Sequence, residues 1–228
     1  MGRKSKLKRF AEVAGFPNVF EIIPEKASFL SNREGDIRDL RGQWCAHHFQ
    51  NSHPLILELA CGKGDYTVAL AKDFPHNNYI GVDIKGARIW KGARYALEAG
   101  LSNVAFLRTR IEFIDRFFAP GEVSSIWITF PDPFEGKDTR RLTAAPFIER
   151  YRRILKPEGI IHLKTDSPLL YDFTLDVIHN TPGCHVLYAN PDIYRSPLDF
   201  PELAHKTYYE IQHLGGGRTI KYIRFTIQ

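Results

Sequence analysis

Cysteine is scarce in this chain. Cys45, Cys61 and Cys184 are the only three, odd in number, widely spaced and without a C-x-x-C pair. That excludes a disulfide framework and gives no structural zinc spacing, and it suits a reducing, cytoplasmic setting. Long hydrophobic runs are missing too. No uninterrupted apolar stretch approaches the ~18 residues of a membrane span, and the charged N-terminus lacks the apolar core of a signal peptide. We expect neither membrane insertion nor export. Nine histidines are present, His47 and His48 adjacent, but H-E-x-x-H and other ligand spacings are absent, so no metal is expected. Internal repeats and low-complexity tracts are also absent.

What is there suffices for one compact domain: 228 residues, 43% of them hydrophobic. The pI of about 9.1 and net charge of +5 are mild. The basic residues are uneven, however, with Arg3, Lys4, Lys6, Lys8 and Arg9 crowded into the first nine positions. Such an arm either serves a polyanionic partner or is simply solvated, and alone it decides nothing. Residues 1–50 read as this basic arm and an irregular lead. Over 51–228, short apolar runs alternate with amphipathic helical stretches. Strands are expected near 55–60, 78–83, 103–108, 124–130, 158–164, 184–190 and 218–227, and helices near 64–74, 86–100, 143–155 and 168–180. The rhythm predicts a seven-stranded, mostly parallel α/β sheet with helices on both faces. The last strand follows Gly215-Gly216-Gly217 too closely for a crossover helix and should enter antiparallel.

The first strand runs into Leu57-Glu58-Leu59-Ala60-Cys61-Gly62-Lys63-Gly64. Its turn is spaced A-x-G-x-G, not the G-x-G-x-x-G of a pyrophosphate cradle. Glu58 would repel a pyrophosphate but attract the sulfonium and ammonium of S-adenosylmethionine. Nineteen positions after Gly64, Asp83 ends the apolar run Tyr79-Ile80-Gly81-Val82 and can accept both hydroxyls of a ribose. The plain alternative is two ordinary glycine-bearing strand–helix turns.

Ligands of open α/β sheets sit at the carboxyl ends of strands, and two further strand ends carry carboxylates. Ser125–Phe130 runs into Pro131-Asp132-Pro133-Phe134, where two prolines stiffen the loop around Asp132. Ile160–Lys164 runs into Thr165-Asp166-Ser167-Pro168. Asp166 could cap the helix starting at Pro168, but Ser167 is the better-placed cap, leaving Asp166 free to face a pocket.

With these segments in hand, most of residues 38–227 resemble the tRNA (guanine-N7)-methyltransferases of the bacterial TrmB family. The matching features are Gly42-x-Trp44 with Phe49, Asn51 and Pro54; Leu57-Glu58-x-x-Cys61-Gly62-Lys63-Gly64; Tyr79–Asp83; Phe130-Pro131-Asp132-Pro133; Arg140-Arg141-Leu142; Lys164-Thr165-Asp166; and Thr207-x-x-Glu210. The resemblance implies a Rossmann-like, class I S-adenosylmethionine-dependent fold. It also implies methylation of N7 of the variable-loop guanine, position 46 of tRNA. It places Asp132 and Asp166 at the reacting base as catalytic residues; Glu58, Gly62, Gly64, Asp83 and Asp132 are expected at the cofactor, with Glu112 the candidate toward its adenine. Asp166, Thr207 and Glu210 are expected at the substrate, Thr207 and Glu210 being associated in the family with the methionine end of the cofactor and the active site. Lys137, Arg140 and Arg141 are candidates for tRNA phosphates, because that substrate must be held mainly through its backbone. Thr207 and Glu210 also have the T-x-x-E spacing of a capping box, and Arg140 and Arg141 could be solvated residues at a helix start. The sequence does not decide between monomer and homodimer.

The chain departs from the family pattern at several points. Glu135-Gly136-Lys137-Asp138-Thr139 is shorter and less basic than the usual insert, and Phe134 replaces a tryptophan. Arg108-Thr109-Arg110-Ile111-Glu112 lacks the usual adenine-side aspartate, so Glu112 substitutes or backbone does. Ala60 replaces a glycine, which is mild, since alanine tolerates most turn geometries with negative φ. Two alternatives stay open: a tRNA-binding protein whose cofactor pocket has decayed, prompted by Arg110, and a methyltransferase of another nucleic acid or a protein.

Overall fold

The computed structural model describes residues 5–23, 26–31 and 37–228. Its centre is five parallel strands, β1 (Val19–Ile23) aside: β4 (Leu55–Leu59), β5 (Asn78–Asp83), β6 (Val104–Arg108), β7 (Val123–Thr129) and β8 (Leu155–Thr165). Helices α2 (Asp65–Asp73), α3 (Gly86–Glu98) and α4 (Ala145–Ile154) follow β4, β5 and β7, the 3-10 turn Ile111–Arg116 joins β6 to β7, and α5 (Pro168–Asn180) follows β8. Every residue of β5 is buried, as a central parallel strand covered on both faces requires. Side chains alternate between two cores. Ile126 and Ile128 join Leu57, Phe147 and Leu170 on one face, while Trp127 joins Tyr66, Ile89 and Ala93 on the other. Helix α5 begins as its sequence dictates: Ser167 accepts from Leu170 N at 3.2 Å, and Pro168 follows at the first helical position.

β10 (Lys221–Ile227) inserts between β8 and β9 (Cys184–Asn190), antiparallel to both. The register sets Lys221 opposite Thr165 and so brings the β10 entry to the end of β8. His162 is a core histidine here, stacked on Trp127 at 3.9 Å and bonded to the Tyr222 hydroxyl at 2.7 Å. Burial lowers its pKa to about 3, so it is neutral.

The segment before residue 50, expected to be irregular, instead completes the sheet. β1 pairs parallel with β6, and β2 (Lys26–Ser31) and β3 (Ile37–Arg38) add antiparallel, giving ten strands in the order β3-β2-β1-β6-β5-β4-β7-β8-β10-β9. The physical reason is the edge: without β1, β6 would present a row of unpaired backbone groups. Helix α1 (Lys6–Val13) packs on α3, where Trp90 Nε1 donates to Glu12 at 2.8 Å and Arg9 lies 5.3 Å over the Trp90 ring. A π-helical turn at Trp44–Phe49 seats the fully buried Trp44, whose Nε1 donates to Phe117 O at 2.9 Å. Arg3 and Lys4 of the basic arm lie outside the described residues. Among the described residues no helix is long and apolar enough to cross a membrane.

Candidate active site

A cavity of about 1370 Å³ runs along the carboxyl ends of β4 to β8. Its walls include Glu58 and Asp83 toward one end and Asp132 and Asp166 toward the other, so four sequence-predicted carboxylates share one cleft.

At the glycine loop, Gly62 N donates to Asp83 Oδ2 at 3.0 Å and Lys85 N donates to Oδ1 at 2.8 Å, fixing the Asp83 carboxylate at its strand end. A Cβ built at Gly62 would meet only Ala60 O, at 4.0 Å, so the loop presents bare backbone to the cleft. Gly64 answers to packing: at φ +71° its missing Cβ would lie 2.5 Å from the Phe106 ring. Ala60 corrects the expectation made for it, since its φ is +57°, in the region that favours glycine. Glu58 is 4% exposed and sits beneath the loop. Its Oε2 accepts from Thr67 N at 2.8 Å and from Thr67 Oγ1, and its Oε1 accepts from Thr129 Oγ1 at 2.6 Å. It therefore braces the start of α2 and has one lone pair of Oε1 to spare. Desolvation raises its pKa to about 7 against those three hydrogen bonds.

The residues fit a cationic adenosine cofactor. Two acidic strand ends and an open glycine turn suit a sulfonium and a ribose and would repel a pyrophosphate. Glu112, half exposed on the 3-10 turn Ile111–Arg116, also lines the cleft and takes a hydrogen bond from Arg110 at 3.2 Å. Desolvation opposes ionisation there, but its own backbone N–H and the Arg110 and Arg150 guanidiniums outweigh it and lower the pKa. Arg110 is thus neutralised by Glu112.

Asp132 is exposed at the cleft, with Oδ1 accepting from Phe134 N at 3.0 Å. The flanking Phe130 and Phe134 hold φ of +49° and +44°, strain of about 1–3 kcal/mol each that the surroundings must maintain. Phe130 N donates to Lys164 O at 2.8 Å. Arg141 holds the other side: Nε donates to Pro133 O at 2.8 Å, Nη2 meets Asp138 Oδ1 at 2.9 Å and the guanidinium lies 4.3 Å over Phe173. Only 4% exposed, Arg141 cannot meet a phosphate, which corrects the expectation that it binds substrate. Arg140 is exposed and lines the cleft; Lys137 is exposed but outside its lining.

Asp166 is 13% exposed at its side chain. Its Oδ2 pairs with Arg218 and lies 3.4 Å from His213 Nδ1. His213 stacks on Phe130 at 5.8 Å. Sequence reading missed Arg218, His213 and Lys221: Lys221 and the neighbouring Arg218 reach Asp166 through the pairing of β10 with β8, and His213 reaches it from α6, long-range placements that no local motif marks. Thr207 lines the cleft as N-cap of α6 (Tyr208–Gly215), and the capping box with Glu210 is formed. Glu210 itself is 0% exposed, does not line the cleft, and pairs with Lys164 at 2.8 Å. That corrects its assignment to the substrate: its carboxylate is spent inside the protein.

An acidic, glycine-turned cofactor end on a sheet of this order defines a class I S-adenosylmethionine-dependent methyltransferase. Solved structures agree in fold. The 16S rRNA methyltransferase KamB is 12% identical with a TM-score of 0.63, over 85% of this chain and 96% of that one. A 16S rRNA (adenine(1408)-N(1))-methyltransferase from Catenulisporales acidiphilia, solved with its cosubstrate SAM, is 16% identical with a TM-score of 0.58, over 84% and 93%. The family model described as "Putative methyltransferase" matches residues 52–222. A tRNA (guanine-N(7)-)-methyltransferase of Christiangramia forsetii is 49% identical over 100% of both chains. That of Bacteroides thetaiotaomicron is 50% identical over 98% of this chain and 86% of its own. The chain belongs to the tRNA (guanine-N7)-methyltransferase family.

Proposed function

We propose that this protein moves the methyl group of S-adenosylmethionine to N7 of the variable-loop guanine, position 46, of tRNA. The observation that carries the reading is the opening of Asp132 and Asp166 into the cleft that also holds Glu58 and Asp83. When bound, the cofactor supplies an electrophilic methyl on a sulfonium. Asp83 would hold its ribose and the spare lone pair of Glu58 its cationic end, with Glu112 toward the adenine. Guanine N7 has an in-plane lone pair and no proton, so the attack needs no general base and the chain's work is positioning and electrostatics. Asp132 and Asp166 would accept from guanine N1–H and the exocyclic amine and offset the positive charge that grows on the base. Adenine lacks that donor pattern. Arg218 is 62% exposed and would swing away from Asp166, itself 13% exposed, to let the base donors reach that carboxylate.

Exposed Arg140 and Lys137, with Lys6 and Lys8 on α1, are our candidates for phosphate. The catalytic unit would run over 51–228, a span supported by the family match. The preceding residues would add an edge to the sheet and a basic face. We place the activity in the cytoplasm, with its tRNA substrate. Mapping N7-methylguanosine in tRNA from cells lacking the gene tests the reading. Loss of the variable-loop methyl is expected, and unchanged methylation overturns it.

A further inference from the structure

Helix α6 forms the substrate-side wall of the cleft, yet its one fully buried residue is Glu210, a carboxylate. An eight-residue helix would ordinarily dock through an apolar stripe. Here Leu214 packs on the core only partly buried, and the deepest contact is a charge. The partner is Lys164, also 0% exposed, one residue before the end of β8 and two before Asp166. All three N–H groups of its ammonium are used: to Glu210 Oε1 at 2.8 Å, His205 O at 3.0 Å and Leu203 O at 3.2 Å. Glu210 Oε1 also accepts from the Tyr194 hydroxyl at 2.5 Å, and Oε2 from Thr207 N at 3.3 Å. The backbone carbonyl of Lys164 meanwhile accepts from Phe130 N, where the Asp132 loop begins. One buried residue thus ties both carboxylate loops of the sheet to the segment 194–207 and to α6 after it.

We propose that Lys164, through Glu210, is a positioning residue that sets the depth and angle of α6 and hence the placement of Thr207, Tyr208, Tyr209 and His213 against the target nucleotide. The assignment of that wall to the nucleotide rests on the proposed function; the anchoring of α6 does not. A buried ion pair is a poor source of net stability compared with packed apolar groups but can fix one geometry among several. Replacing the pair by neutral isosteres should therefore leave the fold and loosen the wall.

The test compares the wild type with Lys164→Met/Glu210→Gln by thermal melting, titration with S-adenosylmethionine, amide hydrogen exchange and steady-state methylation of a tRNA transcript. The expected result is a cofactor Kd within about twofold and α6 amides exchanging at least tenfold faster while β8 keeps its protection. KM for tRNA should rise at least tenfold, with a smaller change in kcat. Tyr194→Phe, which keeps the ring and removes one contact to Glu210, should move α6 exchange and KM in the same direction by a few-fold, and it carries the test if the double variant does not fold. Unchanged α6 exchange, or a loss of activity that only tracks melting or cofactor affinity, overturns the proposal. Exchange reads the anchor without any turnover, so a wild type that fails to methylate tRNA would count against the proposed function alone.

Discussion

Glu58→Gln keeps the shape of the side chain beneath the glycine loop and removes its ionisation. Burial raises the Glu58 pKa from 4.5 to about 7. The folded state therefore holds a proton that the unfolded chain releases at lower pH. The contribution of this group to stability is fully present below pH 4.5, declines as pH rises through the folded pKa of about 7, and is gone by about pH 8. A displacement of that size corresponds to about 3 kcal/mol in all, most of it lost between about pH 5 and pH 8. The glutamine variant has no such loss, although it exchanges charge-assisted hydrogen bonds for weaker ones and so starts from a different baseline. Urea unfolding of both proteins across that range isolates the slope from the baseline. The wild type should lose about 2–3 kcal/mol relative to the variant on going from the acid to the alkaline end. Parallel profiles would refute the picture of a carboxyl held neutral by desolvation. Saturating S-adenosylmethionine should shrink the wild-type slope, since a cation at the spare lone pair favours the carboxylate.

Ala60→Gly relieves a positive φ, worth roughly 1–2 kcal/mol, less about 0.5–1 kcal/mol for glycine's freedom in the unfolded chain, so melting should rise by a few degrees. A lower melting temperature would contradict strain at that turn. Gly64→Ala puts a methyl into the Phe106 ring at a positive φ, with an expected loss of about 2–5 kcal/mol and at least tenfold weaker cofactor binding by calorimetry. Wild-type melting and affinity would show the loop to be far softer than its packing implies. Arg141→Lys keeps the charge but loses the fork to Pro133 and the stack on Phe173, so kcat should drop about tenfold with unchanged cofactor affinity and an unchanged salt slope for tRNA binding. A shallower salt slope instead would restore Arg141 as a phosphate ligand.

The parallel strands and their helices were legible because each carries its own local signal: Tyr79–Val82 is a buried apolar run, and Ser167-Pro168 is a helix start. The four cleft carboxylates were legible for a related reason, since strand ends in such sheets converge on one edge. β1 to β3 were not, because Val19–Ile23 is short and its pairing with β6 is a long-range event. Arg218 arrives at Asp166 beside the β8–β10 pairing and His213 arrives from α6, while Arg141 is covered by Phe173 on α5, contacts distant in sequence. Glu210 shows the reverse problem. Its capping-box spacing was visible, but the lysine that consumes its charge lies 46 positions earlier, on another element. The sign of φ at Ala60 was hidden because residue identity alone argued for the commoner region.

The central arrangement is reached most directly by single-turnover methyl transfer from S-adenosylmethionine to an unmodified tRNA transcript, followed by nuclease digestion and mass identification of the methylated nucleoside, for the wild type, Asp132→Asn and Asp166→Asn. The account predicts N7-methylguanosine from the variable loop with the wild type. Each variant should be slower by about 10- to 100-fold, the worth of one charge-assisted hydrogen bond of roughly 1.5–3 kcal/mol. A methyl group on any other atom, or both variants keeping the wild-type rate, would contradict it.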